Sequence, residues 1–340
     1  MKKLVLMITA LMICMVVRAA NKITVTVTYD KETETATVSI PEEASSYVIC
    51  KSGSDSHVKI EQLLTKENNT DEIEVTYALS GESNDGGFYM KGEYKCTISL
   101  NGVTLNNPSG PAIDIDNGRR IELNAGKDGV VNTLTDGTNG NWKACIYAKG
   151  HFELKGKGTL NVTGNTAHAI SCKEYMQFKN QTLNILGAVK DGIHCKQYFW
   201  MEKGTINISG VADDGIQVEL VDDEDYTGIL SDHKFEDEDA DIEYDENTGN
   251  CYQDDGTLTI GTCGSYVIHV DGEIITNGGK SNYDTTAVKE DHKTTAITTL
   301  QNDINSTETF YDLDGRQLTG LRKGVVIIKK GNEIRKAIIK

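Results

Sequence analysis

The sequence predicts an all-β protein built around a parallel β-helix, a solenoid in which each coil takes about 23 residues. Three observations support this fold class: a repeat of constant length, alternating apolar residues within each repeat, and a composition with 33 glycines but 3 prolines. Abundant glycine with scarce proline is typical of short strands joined by many tight turns.

The repeat lies in the middle of the chain and contains no gaps. Its copies carry the segments Thr159–Gly164, Thr182–Gly187 and Thr205–Gly210, each followed six residues later by an isoleucine, Ile170, Ile193 or Ile216. Each position is therefore offset by 23 residues from its equivalent in the next copy. A short, constant period indicates a solenoid, because one repeat cannot bury its apolar face alone.

Alternating apolar residues divide each repeat into three strands. The alternating pairs include Leu160/Val162, Leu183/Ile185 and Ile206/Ile208, then Ile170/Cys172, Ile193/Cys195 and Ile216/Val218, then Phe152/Leu154, Met176/Phe178 and Phe199/Met201. Alternation is the strand period, and three strands leave no room for a helix within 23 residues. Successive coils should stack about 4.8 Å apart, so that equivalent side chains form columns.

The columns separate interior from surface side chains. Cys172 and Cys195 share an inward column and are expected to be free thiols acting as small hydrophobes, although stacked cysteines could also form a disulfide. The Asn161, Asn184 and Asn207 column points outward and predicts either a ladder of side-chain amides or a solvated face.

Five segments are predicted along the chain. They are a signal peptide (1–19), a β-rich N-terminal cap (20–80), the β-helix (81–284, with an acidic insertion at 219–256), a linker (285–308) and a small C-terminal β module (309–340). Lys2 and Lys3 precede the apolar run Leu4–Val17, which is typical of a secretory signal. We therefore expect secretion or display at the cell surface, and no transmembrane segment in the mature chain.

The charge of the chain excludes one class of partner. The formal net charge is −17 and the isoelectric point is near 4.9. A nucleic-acid-binding protein needs a basic face, and the sequence offers none. The excess of carboxylates is explained either by bound cations or by solubility alone.

A candidate metal site precedes the repeat isoleucines. His168, Asp191 and Asp214 share one column, and Asp213 lies beside it. Stacked aspartates repel one another unless a cation lies between them, so the column predicts a hard-metal site. The alternative is that Asp-Gly is simply good turn chemistry between two strands. His168 and His194 fall in different columns, so no zinc site is predicted.

The acidic insertion extends this hypothesis. It opens with Asp222 and Asp223 and carries many more acidic residues, which are either solvated or folded around calcium. The predicted calcium ligands are therefore Asp191, Asp213, Asp214, Asp222 and Asp223.

Two tyrosines provide a candidate surface for sugar rings. Tyr175 and Tyr198 share one column, where exposed rings could stack on a pyranose. The alternative is that they are ordinary surface packing.

Several runs together resemble the carbohydrate-binding domain family of right-handed β-helix proteins, known from cellulolytic clostridia and Bacteroidota. The runs are Tyr94–Leu105, Gly110–Asp114, Val131–Asp136, Lys143–His151, Gly158–Ile170, Asp191–His194 and Asp213–Gln217. The resemblance implies a right-handed, lyase-like β-helix that binds calcium and plant cell-wall polysaccharides, including cellulose and acidic pectin-like sugars, without established catalysis. On this resemblance, the Asp-Gly turns at Asp191 and at Asp213–Asp214 are candidate calcium sites.

The C-terminal end carries a second resemblance. The runs Phe310–Leu318, Lys323–Ile328 and Lys336–Lys340 are similar to the C-terminal sorting modules of exported Bacteroidota proteins. The resemblance implies a possible type IX secretion route.

Three functions stay open on the sequence. The first is non-catalytic, calcium-dependent binding of acidic or cellulosic polysaccharide by a monomer, with candidate sugar contacts at His168, His194, Tyr175, Tyr198 and Lys190. The second is a calcium-dependent, pectate-type lyase with Lys190 as the base. The third is a structural surface protein or adhesin in which the solenoid is a spacer.

Overall fold

A computed structural model describes residues 21–70, 72–138, 140–221 and 247–293, and the segments 309–311, 316–318, 324–330 and 333–339. Within these residues the chain forms β-strands and two single-turn 3-10 helices, Glu42–Ala44 and Thr285–Ala287, with no α-helix. No described helix has the length and hydropathy needed to cross a bilayer. The predicted all-β class is confirmed.

Five strands form the N-terminal part of the structure. They are β1 (Asn21–Asp30), β2 (Thr35–Ser39), β3 (Val48–Cys50), β4 (His57–Gln62) and β5 (Ile73–Ser83). The β1–β2 and β3–β4 pairs are antiparallel, whereas β1 lies parallel to β5. Strand β4 continues in parallel to β6 (Gly87–Lys91), and β5 continues in parallel to β7 (Cys96–Asn107). The cap strands therefore join the sheets of the solenoid.

Three parallel sheets, here called faces A, B and C, form the β-helix. Face A contains β9 (Ile121–Asn124), β12 (Phe152–Lys155), β15 (Met176–Phe178), β18 (Tyr198–Met201), β21 (Asn250–Gln253) and β24 (Ile274–Thr276). Face B contains β10 (Val131–Asp136), β13 (Thr159–Gly164), β16 (Thr182–Ala188), β19 (Thr205–Ile208), β22 (Thr257–Ile260) and β25 (Lys280–Asn282). Face C contains β6, β8 (Ile113–Asp116), β11 (Ala144–Ala148), β14 (His168–Cys172), β17 (Ile193–Lys196), β20 (Ile216–Glu219), β23 (Ile268–Val270) and β26 (Val288–Glu290). The long strand β7 pairs with both β9 and β10 and so links faces A and B.

Side chains from the three faces meet in one hydrophobic core. The core runs from Ile23 to Val270, and the predicted inward pairs of all three strands are buried in it. Cys172 and Cys195 are buried free thiols, which confirms their expected role as small hydrophobes.

The strand register departs from the gap-free repeat at one position. Val162 pairs with Ile185, but the next residue, Thr163, pairs with Gly187, so that Leu186 is an extra residue on β16. Such a residue forms a β-bulge, which leaves it outside the ladder. The Leu186 side chain is 55% exposed as a result. The sequence repeat equates Gly164 with Gly187, whereas the structure pairs Gly164 with Ala188.

The predicted asparagine ladder is present on face B. The Asn184 side-chain amide donates to Asn161 Oδ1 at 2.9 Å, and the Asn207 amide donates to Asn184 Oδ1 at 2.9 Å. Each amide thus satisfies a neighbour one coil away, which stabilises the stacking of coils.

A column of charged residues follows the outer surface of face A. The Glu122 carboxylate accepts from Arg120 Nη1 at 2.8 Å and contacts the Lys155 ammonium. Burial opposes ionisation of Glu122, but the hydrogen bond and charge of Lys155 and the charge of Arg120 outweigh it and lower the pKa of Glu122.

Glu122→Gln is expected to lower the free energy of unfolding by about 2 kcal/mol at neutral pH, because two half-buried cations lose their carboxylate. The folded-state pKa is lowered, so this stabilisation is present above the unfolded value of about 4.3 and disappears as the pH falls through the folded value. Urea unfolding at neutral and acidic pH measures it. Glu82→Gln, which breaks an exposed pair with Lys31, is the control and should change stability little. An equal loss for Glu122→Gln at both pH values would contradict the assignment.

Candidate functional site

The Asp-Gly turns lie at the corner where the chain enters face C. Neither Gly192 nor Gly215 has a positive φ. A side chain at Gly192 would place Cβ 2.6 Å from Gly215 O, and one at Gly215 would place Cβ 2.4 Å from Val267 O. Glycine is therefore needed here because neighbouring coils approach closely, and not because the turn is left-handed.

Asp191 connects three successive coils at this corner. Its Oδ1 accepts the Asp214 backbone N–H at 3.1 Å, and its Oδ2 lies 3.0 Å from His168 Nδ1. The side chains of His168, Asp191 and Asp214 therefore follow one another along the helix axis, in the predicted order. However, Asp191 is only 1% exposed, so this member of the column is buried.

Asp214 repeats the arrangement one coil further on. Its Oδ1 accepts the Tyr266 backbone N–H at 2.8 Å, and its Oδ2 lies 3.0 Å from His269 Nδ1. Asp214 is 4% exposed. Asp191 and Asp214 thus each accept a backbone N–H from the next coil, and these hydrogen bonds stabilise the two carboxylates.

Asp213 is the exposed member of the acidic group. Burial, followed by the negative charges of Asp191 and Asp214, raises the pKa of Asp213. Each of the three carboxylates offers an oxygen, and these oxygens all lie within 4.8 Å of one another. The arrangement concentrates negative charge at one point of the corner. Asp222 and Asp223, the other predicted calcium ligands, lie outside the described residues.

Two largely buried histidines lie beside the Asp191 carboxylate. The rings of His168 and His194 have centroids 4.5 Å apart, although the two residues occupy different columns. Burial lowers the pKa of His168, although the hydrogen bond to Asp191 acts to raise it. On the far side of His194, a hydrogen bond from His194 and the Lys196 ammonium lower the pKa of Glu219 to about 2.

Lysines lie at both edges of face C. Lys190 precedes Asp191 and is exposed. Lys149, Lys173 and Lys196 each follow the last inward residue of a face C strand, on three successive coils. Lys149 pairs with Asp116 at 3.2 Å and Lys196 contacts Glu219. Within the described residues Lys173 forms no ion pair. Face C therefore carries Lys190 at its acidic corner, and Lys149, Lys173 and Lys196 at the opposite edge, where the chain leaves the face.

The predicted tyrosine platform is wrong. Tyr175 and Tyr198 do stack, with centroids 4.9 Å apart and planes at 6°, but they are only 3% and 4% exposed. His151 covers one side of Tyr175 at 4.2 Å, so neither ring can receive a sugar. An aromatic pair that does reach the surface is Trp200 and Tyr252, on adjacent strands of face A.

The sequence alone did not identify His269 or Glu219 as neighbours of the site. His269 pairs in register with Gln217, the position after Ile216 in the repeat. The acidic insertion separates the two by 52 residues and so hides the 23-residue period. Counting rungs across the insertion, from Thr205–Ile208 to Thr257–Ile260, could have placed His269 in the same column as His194.

Comparison with known proteins identifies the family of the chain. A "polysaccharide lyase-like protein from C. thermocellum", solved as a gadolinium derivative, superposes with a TM-score of 0.55 at 18% identity and covers 79% of this chain and 100% of its own. That likeness shows a shared fold. A carbohydrate-binding domain-containing protein of Acetivibrio thermocellus is 30% identical over 112 residues, which are 29% of this chain and 39% of that protein. The family model for carbohydrate-binding domain-containing proteins matches residues 65–331. The chain therefore belongs to the carbohydrate-binding domain-containing protein family.

Proposed function

We propose that this protein binds acidic polysaccharide along face C, without cleaving it, through calcium held by Asp191, Asp213 and Asp214. Membership of the carbohydrate-binding family supports polysaccharide as the ligand class. The observation that carries the calcium part is the group of three carboxylate oxygens within 4.8 Å at the corner of face C.

The three aspartates fit a calcium ion with open positions. Calcium takes six to eight oxygen ligands, and this group supplies carboxylate oxygens only. Asp191 Oδ1 and Asp214 Oδ1 each accept one backbone N–H, which leaves a further lone pair on each oxygen. Asp213 is exposed, and its negative charge is repelled by the negative charges of Asp191 and Asp214. A bound ion would neutralise this charge and leave coordination positions for water or a sugar carboxylate.

Overall charge explains why a cation is needed for an acidic ligand. The chain carries a net charge of −17 and repels polyuronates at long range. A bound divalent ion reverses the sign locally. Lys173, which forms no ion pair among the described residues, adds a positive charge at the edge where the chain leaves face C. We expect Lys190, His168 and His194 to contact the sugar beside the ion.

Retention on insoluble polygalacturonate tests the proposal. The wild-type protein should be retained when calcium is present and released by a calcium chelator, and it should be retained less on a neutral polysaccharide such as cellulose. Equal retention with and without chelator would refute the calcium bridge. Absence of retention on every glycan would instead favour the spacer function.

A calcium-dependent lyase is the second candidate, because Lys190 is exposed next to Asp191 and could act as a base. We expect no unsaturated product, measured by ultraviolet absorbance, when the protein is incubated with polygalacturonate and calcium. A signal that rises in the wild type and disappears in Lys190→Ala would establish the lyase. Lys59→Ala, which removes another exposed lysine of the face C sheet, is the control.

We also propose that residues 1–19 direct export and that the C-terminal β module acts in sorting. In the described part of this module, β27 (Thr309–Tyr311), β28 (Gln317–Leu318), β29 (Gly324–Lys330) and β30 (Glu333–Ile339) form an antiparallel sheet. Fractionation of the producing cells, with and without residues 309–340, would test both assignments. Retention of the full-length protein in the cytoplasm would refute the first.

A further inference from the structure

We propose that His168, Asp191 and His194 form a binding site for a transition-metal ion of the zinc class, beside the calcium-binding aspartates and chemically distinct from them. The two sites share Asp191 only. The inference rests on the imidazole nitrogens and not on the binding of polysaccharide.

The distances between the three side chains fit a small, nitrogen-rich site. One ligand atom from each residue lies within 4.8 Å of the other two. His168 Nδ1 and Asp191 Oδ2 are 3.0 Å apart. A tetrahedral ion with bonds of about 2.0–2.1 Å to nitrogen and oxygen has ligands roughly 3.3 Å apart, which is close to the separation of His168 Nδ1 and Asp191 Oδ2.

Burial holds the three side chains in place. Their side-chain exposures are 12% for His168, 2% for Asp191 and 18% for His194. Asp191 Oδ1 is fixed by the Asp214 backbone N–H, which leaves Oδ2 directed at His168. His194 Nε2 is buried, and its carboxylate partner, Glu219 Oε2, is 3.3 Å away. The site therefore combines a fixed carboxylate with two imidazoles that are largely shielded from solvent.

A second histidine–carboxylate cluster differs from this one because lysines contact it. His269, Asp271 and Asp291 are grouped just as tightly on the same face. There, however, Lys289 Nζ lies 3.2 Å from His269 Nε2, and Lys293 Nζ lies 2.7 Å from Asp271 Oδ1. These ammonium groups already neutralise the cluster. No lysine contact of this kind is made by His168, Asp191 or His194 among the described residues.

Ligand chemistry separates the two neighbouring metals. Imidazole nitrogen suits zinc, copper and nickel, whereas calcium selects oxygen. The His168–Asp191–His194 site should therefore prefer zinc, and the Asp191–Asp213–Asp214 group should prefer calcium. Three protein ligands leave a fourth position at the surface of face C for water or an oxygen of a ligand.

Calorimetric titration of untagged, chelator-treated protein with Zn²⁺, together with the visible spectrum of bound Co²⁺, tests the site. We expect one high-affinity equivalent per chain, weakened at least tenfold by His194→Gln and by His168→Gln. His292→Gln, which removes an exposed histidine elsewhere, should bind Zn²⁺ like the wild type. Asp213→Asn should keep Zn²⁺ while losing Ca²⁺.

The outcomes separate this inference from the proposed function. Unchanged Zn²⁺ affinity in both His194→Gln and His168→Gln, or an equal loss in His292→Gln, would overturn the site. Thermal melting of each metal-free variant checks that it is folded, and the Co²⁺ spectrum of the wild type reports imidazole ligation without any variant. A spectrum of hexahydrated or oxygen-only Co²⁺ would also overturn the site. Failure of calcium-dependent retention, with Zn²⁺ binding intact, would refute the proposed function alone.

Discussion

Replacing Phe199 with alanine is expected to lower the free energy of unfolding by about 3–5 kcal/mol. The Phe199 ring is fully buried, and its residue pairs with Met176 on one coil and Cys251 on the other. Coils on both sides hold the cavity open, so the surrounding side chains can fill only part of it. The loss should therefore include a cavity cost as well as the lost burial of the ring.

Equilibrium unfolding in urea, followed by far-ultraviolet circular dichroism, measures this effect. Leu186→Ala is the matched control, because it removes a large apolar side chain that the bulge on β16 leaves 55% exposed. The control should stay within about 0.5 kcal/mol of the wild type. A similar loss in both variants would mean that position 199 does not face a close-packed interior.

Asp213→Asn is expected to abolish calcium-dependent retention on polygalacturonate. Asp213 is the exposed carboxylate of the group, and it is the one whose charge is not engaged by a histidine or a backbone N–H bond from the next coil. Removing its charge weakens the attraction for a divalent ion without removing the hydrogen bonds that Asp191 and Asp214 make between coils. The fold should therefore be preserved while binding is lost.

Asp255→Asn provides the control for this loss. It makes the same charge change at an exposed aspartate on the corner between faces A and B. Its retention should equal that of the wild type in calcium. If both variants bind equally well, Asp213 does not hold the ion; if both lose retention, the effect is one of net charge.

The interior of the β-helix could be predicted from the sequence because it depends on a local rule. Alternation within each strand and the 23-residue offset together identify the inward columns, including Cys172 and Cys195. The Asn161–Asn184–Asn207 ladder follows from the same offset. The bulge at Leu186 could not be predicted from this offset, because an extra residue in one strand leaves the spacing of the flanking repeats unchanged.

The corners between faces could not be predicted in the same way. Tyr175 lies where the chain turns from face C to face A, and Tyr198 is the first residue of β18. Alternation within a strand does not define how far residues at such a corner are buried. Both rings are buried because they stack on each other, and His151 covers Tyr175. The same limitation applies to Asp191 and Asp214. Their shared column predicts that they stack, but it does not predict that both are buried.

The approach of His168 to His194 also required the structure. The two residues lie on adjacent coils in columns three positions apart, because His194 pairs in register with Ser171, yet their ring centroids are 4.5 Å apart. Comparing equivalent positions in the repeat considers each column separately and overlooks such diagonal contacts.

Titration of a soluble oligogalacturonate into the wild-type protein, by isothermal calorimetry in calcium and then in chelator, tests the central claim most directly. Binding heat should appear in calcium, disappear in chelator, and be absent from Asp213→Asn in both conditions. The same affinity in calcium and in chelator would contradict a calcium bridge at the Asp191–Asp213–Asp214 corner.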